Sequence, residues 1–425
     1  MHNELLLNEV AKVMNGRICK SDRELIRGIS IDTRNIRPGE LFFALKGENT
    51  DGHNYTHDAV NKGAIGLVVQ HSKQEPNEII VNDTLFALGE LAKYYRKKFD
   101  VHIIAITGTN GKTTVKNLIA AILKTRYRIL FTRKSFNSLI GLPLMIFEMS
   151  GEEDYVVLEM GTSNPGEIKR LCSIARPFIG VITNIGPGHI QGFGSLDGIR
   201  KEKVTLIESL PDNGFGVINE NITGINRKNI FEFSITEAEE IETDETGSSF
   251  VYRGNRFFTP LLGLSNIHNC LAALAVTEKL GVDVDMQQRS LRSINSEPGR
   301  LEPIRHDSLL IINDTYNANP VSMKSAIDFV VRLNRRKILV LGDMLELGEE
   351  SEKYHKEIGE YARAHCDYLI AFGKESESYG GMHFEDKDVL IRHLCKILRG
   401  DEVILVKASR AMKFEEIVRK LLRRL

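Results

Sequence analysis

Val101-His102-Ile103-Ile104-Ala105-Ile106-Thr107-Gly108-Thr109-Asn110-Gly111-Lys112-Thr113-Thr114 is the stretch on which the fold turns. An apolar, β-rich run from Val101 to Ile106 breaks into a glycine-bearing loop, and the loop ends in Gly-Lys-Thr-Thr. Val115, Leu118, Ile119 and Ile122 then recur at helical spacing. Strand, glycine-rich loop, Gly-Lys-Thr and helix together form the phosphate-binding P-loop layout. The glycines let backbone N–H groups close around phosphate oxygens, and the helix N-terminus adds partial positive charge. Lys112 can reach the outer phosphates, and the Thr113 hydroxyl can hold a magnesium ion. Thr107, Gly108, Thr109, Asn110, Gly111, Lys112, Thr113 and Thr114 are therefore the expected phosphate-binding residues. The general pattern places glycine six positions before the lysine, where this chain has Ile106.

Around that loop, 425 residues exceed one ordinary domain, and two or three are expected. The chain is 42% apolar and 27% charged, an ordinary globular composition. With 56 basic and 57 acidic side chains its net charge is −1, which removes the electrostatic case for nucleic acid or a membrane surface. Cys19, Cys172, Cys270, Cys366 and Cys395 are scattered, without a C-x-x-C pair, which predicts a reduced, cytoplasmic protein rather than a zinc protein. The first twelve residues carry Glu4 and Glu9 and no apolar core, so no signal peptide is expected. No run approaches the ~20 apolar residues of a membrane span.

The pattern predicts an α/β chain of three domains. Residues 1–98 read as a small α/β unit, with a helix over 5–14, the stretch Ile29 to Arg34, a Pro38-Gly39 turn, strands at 41–45 and 65–69, and a helix over 56–62. Ser30, Asp32, Thr33, Arg34, Lys46, Asp51, Gly52 and His53 crowd its turns, either as solvated caps or as a polar binding edge. Residues 99–296 read as a central parallel sheet built on the P-loop. Its strands at 155–158 and 178–182 run out at Glu159 and at Thr183 to His189. Ligands in open α/β sheets bind outside the carboxyl ends of strands, so Glu159 and His189 beside a P-loop predict a metal site. In the next helix Leu196, Ile199, Leu206, Ile207 and Leu210 make an apolar stripe; Lys203 lies on it, while Lys201 and Glu202 lie off it. Lys203 either snorkels to water along its stem or turns inward, where desolvation lowers its pKa and makes the amine nucleophilic. A strand over 213–219, a hairpin over 250–259 turning at Gly254-Asn255, and a helix over 267–280 complete the unit. Pro298-Gly299-Arg300 marks a junction. Residues 297–425 restart the alternation, with strands at 309–312, 338–341, 368–371 and 403–406, each closing on polar residues or glycine. That is a Rossmann-like sheet, and the lack of G-x-G-x-x-G argues against a dinucleotide.

These motifs resemble those of the Mur ligases, ATP-dependent amide-forming enzymes of bacterial cell-wall synthesis. The family's P-loop has the form Thr107-Gly108-Thr109-Asn110-Gly111-Lys112-Thr113, so Ile106 is no departure from it. The resemblance extends through Ser30 to Arg34, Phe43 to Gly47, Asp51 to His53, Glu159-Met160-Gly161, Asn184 to His189 and Asn266 to Asn269. Asp314-Thr315-Tyr316-Asn317-Ala318-Asn319-Pro320 and Leu341 to Gly348 resemble the member of the series that adds D-alanyl-D-alanine to UDP-N-acetylmuramoyl-tripeptide. The member that adds diaminopimelate or lysine shows Asp-x-Pro-Arg, whereas here Asn319-Pro320 is followed by Val321.

The resemblance implies ATP and Mg2+ as cofactors and an acyl-phosphate route, in a cytoplasmic monomer with a C-terminal lid domain. It implies that Ser30, Thr33, Arg34, Lys46, Asp51, Gly52 and His53 hold the UDP end of the substrate. Asn137, Ser138 and the segment Lys407 to Arg410 face the substrates. Asn269, Arg300, Asp314 and Asn317 complete the ATP site. Thr113, Glu159 and His189 hold magnesium, with Lys112, His189 and Lys203 as the catalytic set. Lys203 matches the lysine that this family carbamylates with carbon dioxide, although the family's Lys-Gly-Glu reads Lys203-Val204-Thr205 here and Lys201 remains a rival. Three other readings stay in view. A GTP switch would need Asn-Lys-x-Asp, and Asn61-Lys62-Gly63-Ala64 misses it. A P-loop ATPase without an acceptor would release ADP alone. Folylpolyglutamate synthase begins near its P-loop, whereas this chain spends about a hundred residues first.

Overall fold

Every strand of the central sheet runs parallel, in the order Ile230–Phe233, Phe215–Asn219, Ile179–Ile182, His102–Thr107, Tyr155–Glu159, Ile129–Phe131. The structure is a computed structural model that describes residues 5–18, 24–133, 136–188 and 190–425; Cys19, Ser135 and His189 fall outside these. From His102–Thr107 the chain first builds to one side and then to the other. The carboxyl ends of the middle strands therefore flank a crevice, as doubly wound sheets require. Both faces are covered, which is why these strands read as continuous apolar runs rather than alternating ones. Ile104 and Ile106 pack against helices Lys112–Leu123 and Leu264–Lys279, while Ile103 and Ala105 pack on the opposite face with Leu158, Leu171 and Leu206.

The N-terminal lobe holds a five-stranded sheet in the order Arg17–Ile18, Glu78–Ile80, Gly66–Val69, Glu40–Phe43, Gly28–Ser30, parallel except at its first pair. Its last helix, Thr84–Arg96, does not stay with that sheet alone. Leu88, Leu91 and Tyr95 share a core with Val156 and Leu158 of the central sheet. Arg96 closes the seam: its guanidinium donates to the carbonyls of Ala175 (3.0 Å), Phe99 (2.7 Å) and Val101 (2.7 Å). Burial pulls this guanidinium down to about 10.

The C-terminal lobe is a six-stranded sheet in the order Glu302–His306, Leu309–Asp314, Val403–Lys407, Lys337–Gly342, Tyr368–Phe372, Met382–Phe384. Its four central strands match the expected ones. The two edges were not foreseen: Glu302–His306 runs antiparallel and contains Pro303, and Met382–Phe384 is too short to show a pattern. The expected hairpin over 250–259 belongs to a three-stranded antiparallel sheet with Ala238–Thr243. It turns one residue earlier than expected, at Arg253-Gly254, with Tyr252 facing Asn255. Both turn residues take positive φ (50° and 75°), the backbone twist a two-residue hairpin needs. The described cysteines are unbridged, and no helix among the described residues is long and apolar enough to cross a membrane.

Replacing Arg96 by Met should leave three buried carbonyls without donors and cost on the order of 3 kcal/mol of unfolding free energy. A urea titration checks this; a midpoint equal to wild type would show that the seam does not depend on the guanidinium.

Candidate functional site

The strand His102–Thr107 delivers the loop to the centre of the crevice, and two of its glycines are sterically required. Gly108 has φ +147° and a Cβ there would sit 1.9 Å from Thr183 Oγ1; Gly111 has φ +80° and a Cβ would sit 2.2 Å from Asn269 Oδ1. The loop is braced from the neighbouring strand end. Asn110 N donates to Asn184 Oδ1 (2.9 Å), and Asn110 O accepts from Thr183 Oγ1 (2.5 Å) and Asn184 Nδ2 (3.0 Å). Thr109 Oγ1 donates to Gly186 O at 3.0 Å. Lys112, first residue of its helix, folds back to donate to Gly108 O (2.8 Å) and Thr109 O (3.1 Å). Burial lowers its pKa.

Thr113 and Glu159 meet as the sequence predicts, with Thr113 Oγ1 donating to Glu159 Oε2 at 2.8 Å. Asn137 Nδ2 donates to the other carboxylate oxygen at 2.8 Å, and Arg300 Nη2 donates to Thr113 Oγ1 at 2.9 Å. The backbone of Glu159 is held as well: its N–H donates to Thr132 Oγ1 (3.0 Å), and the buried Lys116 ammonium donates to Thr132 O (2.7 Å). Among the described residues no three His, Cys, Asp or Glu side chains form a metal cluster. A hydroxyl and a carboxylate beside a phosphate loop still suit magnesium, a hard cation that keeps several waters and takes one or two carboxylates plus substrate phosphates. The helix Ile190–Phe193 reaches the C-terminal lobe, its Gln191 N–H donating to Glu346 O at 3.3 Å.

Lys203 turns inward. It is 4% exposed, and its ammonium donates to Gly108 O at 3.1 Å, the same oxygen that Lys112 uses. Burial, with Lys112 beside it, pushes its pKa down to about 7. Lys201 points away: it is 79% exposed and pairs with Asp197 at 2.8 Å. Two expectations about this helix are corrected. Leu196, placed on the stripe, is 51% exposed because the helix starts there, behind a Ser195 cap. Glu202, placed off the stripe, is buried, because it accepts from Gly166 N and Ile168 N (2.7 Å each) and so caps the start of the helix Glu167–Ala175. On the sheet face covered by Leu206, the Thr107 hydroxyl is buried with no hydrogen-bond partner among the described residues.

The C-terminal lobe brings Arg300, Asp314, Asn317 and Lys407 to the loop. Lys407 is buried and pairs with Asp314 at 2.5 Å while donating to Asn317 O at 2.9 Å. Arg300 lies 3.8 Å over the Tyr316 ring, and Arg410 lies 5.7 Å from the same ring. Sequence reading did not find Tyr316 or Lys116, because an aromatic approached by two arginines and a lysine propping a carboxylate's backbone are products of long-range packing. Two cavities meet here. One, of about 430 Å³, is lined by Thr114, Asn219, Asn266, His268, Asn269 and Ser325 among others. The second, of about 710 Å³, is lined by Lys112, Asn137, Ser138, Glu159, Leu345 and Arg410 among others. Asn110, Gly111, Arg300, Tyr316 and Asn317 line both, so the phosphate loop and the Arg300–Tyr316 stack form the partition.

The N-terminal candidates line neither cavity. They gather instead on the loops after the parallel strands Gly28–Ser30 and Glu40–Phe43. Ser30 and Thr33 are buried, and Ser30 Oγ donates to Asp32 O at 3.1 Å. Arg34 is an exposed guanidinium forked onto Asp32 (2.9 and 2.7 Å). Lys46 is exposed, bridged through the backbone to Asp51. Gly52 lies against Leu45, where a Cβ would meet backbone at 2.8 Å. His53 is buried with both ring nitrogens engaged: Nδ1 lies 2.7 Å from Asp51 Oδ1, and Nε2 accepts from Gln70 N at 3.0 Å. It shapes this edge without offering a ring nitrogen to a ligand.

Comparison with known proteins gives a consistent result. Residues 25–96 match the Mur ligase family, catalytic domain; residues 106–277 match the Mur ligase middle domain; residues 299–410 match the Mur ligase, glutamate ligase domain. The chain is 35% identical over 442 residues to the UDP-N-acetylmuramoyl-tripeptide--D-alanyl-D-alanine ligase of Escherichia coli (strain K12), covering 98% of each chain. It is similar to a crystal structure of MurF from Acinetobacter baumannii, with a TM-score of 0.92, 28% identity and 99% of each chain covered. It is also similar to MurF ligase from Thermotoga maritima in complex with ADP, with a TM-score of 0.87, 27% identity, and 93% and 97% of the two chains covered.

The unfolded chain holds a proton on Lys203 up to about pH 10.5, while the folded chain releases it near 7. Between those values the unfolded state binds more protons, so this residue makes stability rise with pH, by at most about 1.4 kcal/mol per unit. In CO2-free buffer, Lys203→Met should remove that rise relative to wild type. Parallel stability–pH curves from urea titrations would contradict it.

Proposed function

The chain belongs to the Mur ligase family, and from that premise we propose how its three lobes make an amide bond. It is an ATP-dependent ligase of peptidoglycan precursor synthesis that joins D-alanyl-D-alanine to UDP-N-acetylmuramoyl-tripeptide. The observation that carries the mechanism is the pair of cavities divided by the phosphate loop. A nucleotide in the smaller cavity would present its terminal phosphate to whatever occupies the larger one. Asn269, Asp314 and Asn317 belong to the nucleotide's side. Thr107 to Thr114 cradle the phosphates. Lys112 leaves its loop carbonyls for the phosphate oxygens, and Arg300, held by Thr113 and Tyr316, adds a second fixed cation.

The tripeptide's terminal carboxylate enters the larger cavity past Asn137 and Ser138 and attacks the γ-phosphorus. The bond to the bridging oxygen breaks, and ADP and an acyl phosphate result. The amine of D-alanyl-D-alanine, entering along the C-terminal lobe's wall near Arg410, attacks the acyl carbon. The tetrahedral intermediate loses phosphate, which takes the amine's proton, and an amide remains. ATP is needed because a carboxylate is a poor electrophile at neutral pH, and the protein's part is alignment and charge stabilisation. Since an acyl phosphate is lost to water, the C-terminal lobe acts as a lid. The UDP end lies on the N-terminal edge with Ser30, Thr33, Arg34, Lys46, Asp51 and Gly52, its shape kept by His53.

Thr113 and Glu159, with His189 and a carbamate on Lys203, would hold magnesium, which would supply positive charge against the transferring phosphoryl group. Carbamylation suits this lysine. The neutral amine takes up carbon dioxide and releases one proton, which converts a buried cation beside Lys112 into an anion. The orphaned Thr107 hydroxyl belongs to the residue before Gly108, whose carbonyl Lys203 reaches. The family resemblance supports a monomer, and the described cysteines, scattered and unpaired, suit the cytoplasm.

With ATP and the UDP-tripeptide, continuous ADP release should require D-alanyl-D-alanine; diaminopimelate and L-lysine, each offered with its matching UDP-linked peptide, should not support it. Full-rate ADP release without any acceptor would mark a simple ATPase. In 13C-bicarbonate, a carbamate resonance is expected in wild type and Lys201→Met and absent in Lys203→Met; its persistence in Lys203→Met would place the modification elsewhere.

A further inference from the structure

Asn319 makes two kinds of contact. It caps the helix Pro320–Val331, its Oδ1 accepting from Ser322 N at 2.9 Å while Ser322 Oγ accepts from Asn319 N at 3.0 Å. The cap settles which end of the amide is oxygen, since only that end can accept from the helix N–H. The same side chain reaches the phosphate loop. Asn319 Nδ2 donates to Asn110 Oδ1 at 2.8 Å, and Asn110 Nδ2 donates back to Asn319 Oδ1 at 3.3 Å. Asn319 is 7% exposed, so water competes little for this reciprocal amide pair.

The pair joins parts that must move together. Asn110 is the loop residue whose peptide is clamped by Thr183 and Asn184 of the central sheet, so its side chain is held on a fixed backbone. Asn319 begins a helix of the C-terminal lobe, two residues after Asn317 and three after Tyr316, both of which line the partition. A reciprocal amide pair tolerates little change in angle, because both bonds lengthen together when either plane tilts. We propose that Asn319 is a positioning residue for the ligase reaction: through Asn110 it sets the register of the C-terminal lobe on the phosphate loop, so that Arg300 and Tyr316 stand correctly at the transferring phosphate. The inference rests on the ligase reading above, but its geometry belongs to the loop and the lobe whatever the acceptor.

Serine and aspartate both cap helices well, which lets the cap be kept while the latch is altered. Asn319→Asp keeps the acceptor and loses one latch bond; Asn319→Ser loses both. Melting temperatures of both variants should match wild type. The kcat should fall roughly three- to tenfold in Asn319→Asp and further in Asn319→Ser, with the KM for the UDP-tripeptide unchanged because that substrate's UDP end lies on the N-terminal lobe. In an Asn110→Ala background, Asn319→Ser should have no further effect on kcat. A kcat equal to wild type in Asn319→Ser, a loss of kcat explained by a lowered melting temperature, or an undiminished effect in the Asn110→Ala background would each overturn the proposal. If ADP release proved independent of any acceptor, the ligase reading would fail; the coupling between Asn110 and Asn319 would still be measurable in the ATPase rate.

Discussion

Two lysine amines converge on one carbonyl oxygen. Lys112 and Lys203 both donate to Gly108 O, at 2.8 and 3.1 Å, with Lys203 buried and Lys112 half-buried at the wall of the larger cavity. Like charges so close, one of them away from water, raise each other's energy by an amount that full exposure would largely screen. Something must give, and the remaining arrangement can be read as the answer. Lys203 gives up its proton near neutral pH, while Lys112 stands at the loop where phosphate charge is expected. A neutral, buried amine beside a cation is the condition under which addition of carbon dioxide relieves the site rather than burdens it.

That convergence needs a backbone that can present Gly108 O to two directions at once. The loop does so because glycine stands at both positive-φ positions and because Thr183 and Asn184 hold the peptide of Asn110. The glycines belong to the loop itself, whereas Thr183 and Asn184 come from a strand end more than seventy residues away in sequence. The helix carrying Lys203 is positioned in turn by Glu202, whose carboxylate caps the helix Glu167–Ala175, and by Ile199, Leu206 and Ile207 in the core. Adjacent residues on one helix thus serve two purposes, one anchoring and one chemical. The C-terminal lobe supplies the other wall, with Arg300 touching Thr113 and Asn319 touching Asn110.

How far these features show in the sequence depends on their range. The P-loop is legible because strand, turn and helix are local and the glycines are obligatory. Lys203 is legible as a candidate because it alone interrupts an apolar stripe, but the stripe leaves open whether its amine snorkels to water or turns inward. The same helical-wheel reasoning misplaces Glu202 and Leu196. A wheel knows which face is apolar, but it does not know that a neighbouring helix start lies over Glu202 or that Leu196 sits beyond the edge of the core. The strand Glu302–His306 is hidden by its proline, and the two-strand hairpin is in truth three strands, because Ala238–Thr243 is mostly polar and exposed.

By itself, then, the sequence determined the α/β alternation and the phosphate loop, because these follow from periodicity and glycine placement; most other groups of the crevice were named only through the resemblance to a family. Only the tertiary structure decided which of Lys201 and Lys203 turns inward to the loop, that His53 is spent on Asp51 and Gln70, that Arg300 lies over Tyr316, and that Asn319 meets Asn110. Each of those depends on where separate elements come to rest against one another, and packing over hundreds of residues carries no local signature.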